Sequence, residues 1–329
     1  MKNLFKSAWF PLLEIFGLFG RRIGVSNLNH YISATPKAFP LRIREIIDAS
    51  TLINPLKNQK ELPSIEIAIP STSKDLPYLV PVIQSAIKNS VNPISRIKVV
   101  VPRSELDEFD FALRDEVFGM SVEVIDEELL LGDLTQLCNS VAPTSRRGWL
   151  IQQIVKYSCV LNSDSDGVLI IDSDTLLTVP RIWIDNNKTQ ILMISHEYHL
   201  PYQLHYLSFR NKIASLGNSE SCPRVSYVTH HQLMQPVILR EMLGGDSRWP
   251  QGLESWINSI NFDSQSPACE YHCYGTFLEL HKRDAFRFAR WGNVAVSRSN
   301  YEKFILRLSK VEQNQTFRKI CSFSVHAYL

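Results

Sequence analysis

The sequence predicts an α/β protein, a mixed but mainly parallel sheet flanked by helices, on three observations. Short β-branched runs alternate with helix-like stretches of about 10–15 residues from position 65 onward, the signature of βαβ units. The chain has 329 residues, long enough to bury a large core without disulfide staples. Its 44% apolar and 21% charged content is that of a globular protein, not of a fibrous or disordered one. Thirty-five Lys and Arg against 33 Asp and Glu leave a net charge of +2, without the basic excess of a nucleic-acid binder. Six cysteines at irregular spacing make no disulfide framework and fit a reducing, cytoplasmic compartment.

Residues 1–60 read as an amphipathic helix and connector, and residues 61–329 as one large domain. The apolar run Ala8–Phe19 is interrupted by Pro11 and Glu14 and is too short to span a bilayer. No small-residue cleavage site follows it, so it is not read as a signal peptide. It either packs on the main domain or lies in a membrane interface through residues 4–20, with Trp9, Phe10, Phe16 and Phe19 at the lipid boundary. Pro36, Pro40, Pro55 and Pro63 punctuate the connector.

Ile65–Ile69 is the first predicted strand, closed by Pro70 and a polar loop, Ser71–Asp75. A helix over Leu76–Ser90, a strand over Ile97–Val101, a helix from Ser104 to about Phe118 and a strand over Val122–Ile125 follow. Ligands of such sheets bind beyond the carboxyl ends of the strands. Ser71, Thr72, Lys74, Arg103 and Asp126 are therefore expected on one rim. Neither G-x-G-x-x-G nor G-K-[ST] is present, which removes the usual dinucleotide and P-loop signatures. A fourth unit begins with a helix from Arg146 to about Leu161. Trp149, Gln152, Gln153 and Lys156 share one face of it, either a solvated face or a functional one.

The buried-strand pattern Gly167–Ile171 then delivers Asp172-Ser173-Asp174 to the rim. Two carboxylates one residue apart repel unless protons or a cation neutralise them. A hard divalent ion, Mg²⁺ or Mn²⁺, with positions left open for a diphosphate, is one solution. A cap on the following segment, or plain exposure to water, is the other.

The order of these parts resembles the GT-A glycosyltransferases, and more narrowly an uncharacterised bacterial family of GT-A-like proteins carrying Asp-x-Asp. The resemblance rests on Gly148-Trp149-Leu150-Ile151-Gln152-Gln153-Ile154-Val155-Lys156, Ile171-Asp172-Ser173-Asp174-Thr175, Val228-Thr229-His230-His231 and Glu270-Tyr271-His272-Cys273-Tyr274-Gly275. It implies a metal-dependent transferase that moves a sugar from a nucleotide-diphosphate donor to a glycan or glycolipid acceptor, as in surface polysaccharide synthesis. It implies Asp172 and Asp174 as metal ligands, with His326 as a late third. Ser71, Thr72 and Asp75 would line the nucleoside pocket, and Arg103 and Lys156 would neutralise diphosphate oxygens. Trp149, Gln153 and Asp172 complete the expected donor contacts.

Glu270 opens a predicted helix. It is either the base that takes the acceptor hydroxyl's proton or a partner of the helix dipole. His230 and His231 follow the apolar run Val225–Val228 and are expected at a strand end. His231 is the second catalytic candidate, the alternative being a buried imidazole satisfied by a backbone carbonyl. Cys269, His272 and Cys273 lack the paired knuckles of a zinc site. Asn187 and Asn314 match the glycosylation sequon by chance. Two other functions compete with glycosyl transfer. A haloacid-dehalogenase-type phosphatase would use Asp172 as nucleophile, and a non-catalytic nucleotide- or carbohydrate-binding module would keep the fold without turnover.

Overall fold

The computed structural model describes residues 62–114, 119–195, 199–213, 226–298, 301 and 321–326. The N-terminal helix expected around residues 4–20 lies outside them. No helix among the described residues is long and apolar enough to cross a membrane.

The first strand, β1 (Ile65–Pro70), is buried along its whole length, as a strand covered on both faces must be. The chain continues through α1 (Leu76–Asn89), β2 (Ile94–Val101), α2 (Leu106–Arg114) and β3 (Val122–Asp126). Two short helices, α3 (Glu127–Leu131) and α4 (Asp133–Val141), precede α5 (Arg147–Leu161) and β4 (Val168–Ile171). Beyond β4 come β5 (Thr175–Leu177), β6 (Gln190–Ile194), α6 (Leu200–Arg210) and β7 (His231–Met234). The chain closes with α7 (Pro236–Met242), α8 (Trp249–Ile257), α9 (Glu270–His281), β8 (Phe286–Arg290), β9 (Asn293–Ser297) and β10 (Ser322–His326).

The main sheet has the order β3-β2-β1-β4-β7. Its first four strands are parallel, and β7 runs antiparallel to β4 with Ile171 opposite His231. The mixed, mainly parallel α/β class expected from the sequence is the class observed. Successive side chains of a strand alternate between faces, so β1 and β4 feed two cores. Ala68, Val168 and Ile170 pack with α5, α7 and α9. Ile65, Ile67, Ile69, Leu169 and Ile171 pack with α1 and α2.

Two small sheets, β5-β10-β9 and β6-β8, add to this frame. In the first, β10 pairs antiparallel with β5, which directly follows Asp174. The expected strand ending at the two histidines is corrected. Ser226 makes a single bridge to Ser195, and the strand starts at His231. Because β7 is antiparallel, its start lies at the carboxyl edge of β4, which brings His230 to the rim.

Helix α9 is seated by a close approach. A Cβ at Gly275 would stand 2.3 Å from Cγ of Tyr227, whose ring is fully buried. Gly275→Ala must therefore displace that ring or the helix. Chemical denaturation should show a loss of about 1–3 kcal/mol, typical of overpacking. Unchanged stability would mean that the helix is not held this closely.

Candidate active site

The Asp172–Asp174 loop is pinned through its backbone on both sides. The Asp172 N–H donates to the His230 carbonyl at 2.9 Å, and the Val325 N–H of β10 donates to the Asp174 carbonyl at 2.9 Å. A turn closes the loop, with the Thr175 N–H donating to the Asp172 carbonyl. The two carboxylates thus leave the end of β4 on a fixed backbone.

Their surroundings differ sharply. Asp172 Oδ1 accepts from Lys156 Nζ at 2.6 Å and from the Tyr271 hydroxyl at 3.0 Å, while Oδ2 pairs with His230 Nδ1 at 3.0 Å. Burial alone would raise its pKa. The Lys156 ammonium and the His230 bond outweigh that and hold it well below the usual carboxylate range. For Asp174 burial dominates and the Asp172 charge adds to it, pushing the carboxyl up to about 6. One acid is held as an anion, while burial and the Asp172 charge favour the protonated form of the other.

Lys156 reaches both Asp172 and Glu270, at 2.6 Å each, with its ammonium 4.4 Å from the centre of the Tyr271 ring. Burial would lower its pKa, but the two carboxylates hold it well above the ordinary lysine value. Glu270 moves upward instead, because burial and the Asp172 charge outweigh what one shared ammonium offers. The polar face of α5 is therefore not solvated: Gln153 and Lys156 are buried and Trp149 is half-buried. Lys156 stands where the sequence places it and is engaged by the carboxylates of Asp172 and Glu270. Glu270 is 1% exposed and is engaged by Lys156 in this structure.

The two histidines separate. His230 is partly exposed and bonded to Asp172, with its ring 5.2 Å from that of Trp291. His231, one residue on, is fully buried against Trp183 at 5.6 Å, on the far face of the strand. Neither of its ring nitrogens has a hydrogen-bond partner among the described residues, and burial with the nearby Arg181 charge pulls its pKa down to about 3. Of the two, His230 is the one that lies beside Asp172 and is open to solvent.

The loop after β1 reaches the same rim. Asp75 Oδ2 accepts from the Ser173 hydroxyl at 2.9 Å, and Oδ1 pairs with Arg298. Both oxygens of Asp75 are thus bound by protein, not presented to a nucleoside. Around it, Ser71 Oγ, Thr72 Oγ1, Arg298 Nε and the Tyr301 hydroxyl are buried without a hydrogen-bond partner among the described residues. Arg103, by contrast, does not join the site. It is separated from β4 by β1 and pairs with Asp126 at 2.8 Å and Glu128 at 3.4 Å. Asp126 itself caps α3 by accepting from the Glu128 N–H. His326 is the last residue of β10, one after Val325, so its backbone adjoins the Asp174 carbonyl. Arg298 and the ties of Ser173 went unread in the sequence, since Ser-Arg-Ser at residues 297–299 matches no motif.

No group of three or more His, Cys, Asp or Glu side chains is assembled to hold a metal ion among the described residues. Asp174 nevertheless suits a hard cation: it offers carboxylate oxygens, and its charge stands beside those of Asp172 and Asp75. The protein would supply part of the coordination and leave the remainder to a ligand.

No family matches the sequence, and no curated protein does. Similar solved structures include the apo form of mouse xyloside xylosyltransferase 1, 10% identical. That match covers 80% of this chain and 98% of the other, with a TM-score of 0.45. Another is the galactosyltransferase LgtC in complex with donor and acceptor sugar analogs, 14% identical. It covers 79% of this chain and 86% of the other, with a TM-score of 0.40. Both neighbours are glycosyltransferases. The overlaps are loose, and the chemistry of the site rests on this chain's own side chains.

The burial of His231 has a measurable sign. An unfolded histidine titrates near 6.5, whereas the native ring stays neutral down to about 3. Between those values the unfolded chain binds the extra proton, so the contribution of His231 to stability falls as pH falls. His231→Leu removes this liability. Its stability relative to the parent should rise by about 1.4 kcal/mol per pH unit on acidification from pH 6 to 4.5. A pH-independent difference would show that the native ring takes up protons.

Proposed function

We propose that this chain transfers a glycosyl unit from a nucleotide-diphosphate donor to a hydroxyl acceptor, at the rim formed by the ends of β1 and β4. The observation that carries the reading is the unequal pair Asp172 and Asp174. One carboxylate is locked by Lys156, His230 and Tyr271, and the other stands in excess negative charge at the mouth of the strand. Asp174, with His326 as a further candidate, would hold Mn²⁺ or Mg²⁺. When bound there, such an ion supplies stabilisation of the negative charge on the departing diphosphate.

The chain's own residues have separable tasks. Ser71 and Thr72 carry buried hydroxyl oxygens in need of partners, and a nucleoside's ribose or base edge would satisfy them. His230, oriented by Asp172 through Nδ1, faces the rim where sugar hydroxyls would lie. Trp149, half-buried on α5, is a candidate wall for the sugar or base. Glu270 acts as a positioning residue through Lys156. The acceptor class, glycan or glycolipid, follows from the resemblance rather than from pocket shape. A phosphatase nucleophile at Asp172 is disfavoured, because both of its oxygens already accept hydrogen bonds and one is shared by two donors.

A panel of nucleoside diphosphates with and without Mn²⁺, read by thermal shift, tests this. The matching nucleotide at 100 times its Kd should stabilise the fold by about 2.7 kcal/mol, and only with the ion present. Asp174→Asn should abolish the Mn²⁺-dependent part. If no nucleotide raises the Tm, the transferase reading falls; if Asp174→Asn leaves the ion's effect intact, the metal site is elsewhere.

A further inference from the structure

Three segments far apart in sequence meet at one carboxylate. Asp75, buried just before α1, accepts from Ser173, the middle residue of the Asp-Ser-Asp loop and itself 3% exposed. Its other oxygen pairs with Arg298, which follows β9. The Arg298 guanidinium also donates through Nη1 to the Lys74 carbonyl at 3.2 Å. It lies over the Tyr78 ring, 5.4 Å from the centroid, and Tyr301 meets that ring edge-on at 4.6 Å. A planar fork that binds a carboxylate and a carbonyl together, while stacking on an aromatic face, is a geometry lysine does not reproduce.

We propose that Arg298 and Asp75 form a latch that fixes the Asp172–Asp174 loop in its working shape, with Arg298 as a positioning residue. At its two ends the loop is fixed by backbone bonds, and at Asp172 also by the side chains of Lys156, Tyr271 and His230. Its central side chain is held by Asp75, and Asp75 is held by Arg298. Removing the guanidinium leaves a buried carboxylate with the Ser173 hydroxyl as its remaining side-chain partner among the described residues, so it turns toward water and Ser173 goes with it. The loop then loses the constraint that sets its two carboxylates relative to the loop after β1. The purpose of the latch rests on the glycosyl-transfer reading, while its mechanical role does not.

Two measurements on the full chain separate these. In native-state amide exchange, Arg298→Gln should speed exchange at Ser173, Asp174 and Thr175 at least tenfold, leaving β2 and β3 protected. Arg298→Lys should fall between Gln and the parent, and it keeps the test open if the Gln variant does not fold. Asp75→Asn should match Arg298→Gln. In Mn²⁺ titration, each of these variants should bind the ion about tenfold more weakly than the parent. Parental exchange rates at the loop in both the Arg298 and Asp75 variants overturn the latch. Faster exchange with parental Mn²⁺ affinity overturns its positioning role. A parent that binds no Mn²⁺ defeats the metal reading alone, and the exchange data still decide the latch.

Discussion

One buried ammonium organises the centre of this protein. Lys156 leaves α5 and meets Asp172 from the end of β4 and Glu270 from the start of α9, each at 2.6 Å. An ammonium out of water is costly unless oxygens surround it closely, and here two carboxylates and the face of Tyr271 do so. The three elements therefore cannot shift independently: moving any one strands a charge. Two anions share one cation, and the surplus appears as the upward shift of Glu270, the member farthest from solvent.

That constraint gives the rim its asymmetry. Asp172, bound by lysine, tyrosine and histidine, behaves as part of the scaffold and orients His230 outward. Asp174, two residues on, is shifted the opposite way by burial and by the charges of Asp172 and Asp75. A rigid anion beside a responsive one suits a site that must bind and release a charged ligand, because only one of the two need change state. The loop after β1 and Arg298 brace the same tripeptide from the other side.

The first four strands were legible because each is a short aliphatic run bounded by turn residues, and the Asp-x-Asp position followed from the end of the fourth. The small sheets were not. Asn293–Ser297 has three apolar residues between polar ends and Ser322–His326 alternates polar and apolar ones, stretches too short to mark a strand, and β10 is paired by segments far away in sequence. The histidine pair shows the limit of a period-two argument. Adjacent residues face opposite sides of a strand, and without the direction of β7 nothing tells which one meets the rim. Glu270 was legible as the first residue of a helix, but not as a buried one, since its partner Lys156 lies 114 residues earlier. Arg298 was illegible for the same reason, 223 residues from Asp75.

A double-mutant cycle on Lys156 and Glu270, read by urea unfolding at pH 7.5, tests the shared-ammonium account most directly. Lys156→Met alone should cost about 3–5 kcal/mol, because it strands two buried carboxylates. Adding Glu270→Gln removes one stranded charge, so the double variant should be more stable than Lys156→Met alone. Strictly additive losses would mean that the ammonium and the carboxylate do not interact, and the account of the site built on them would be wrong.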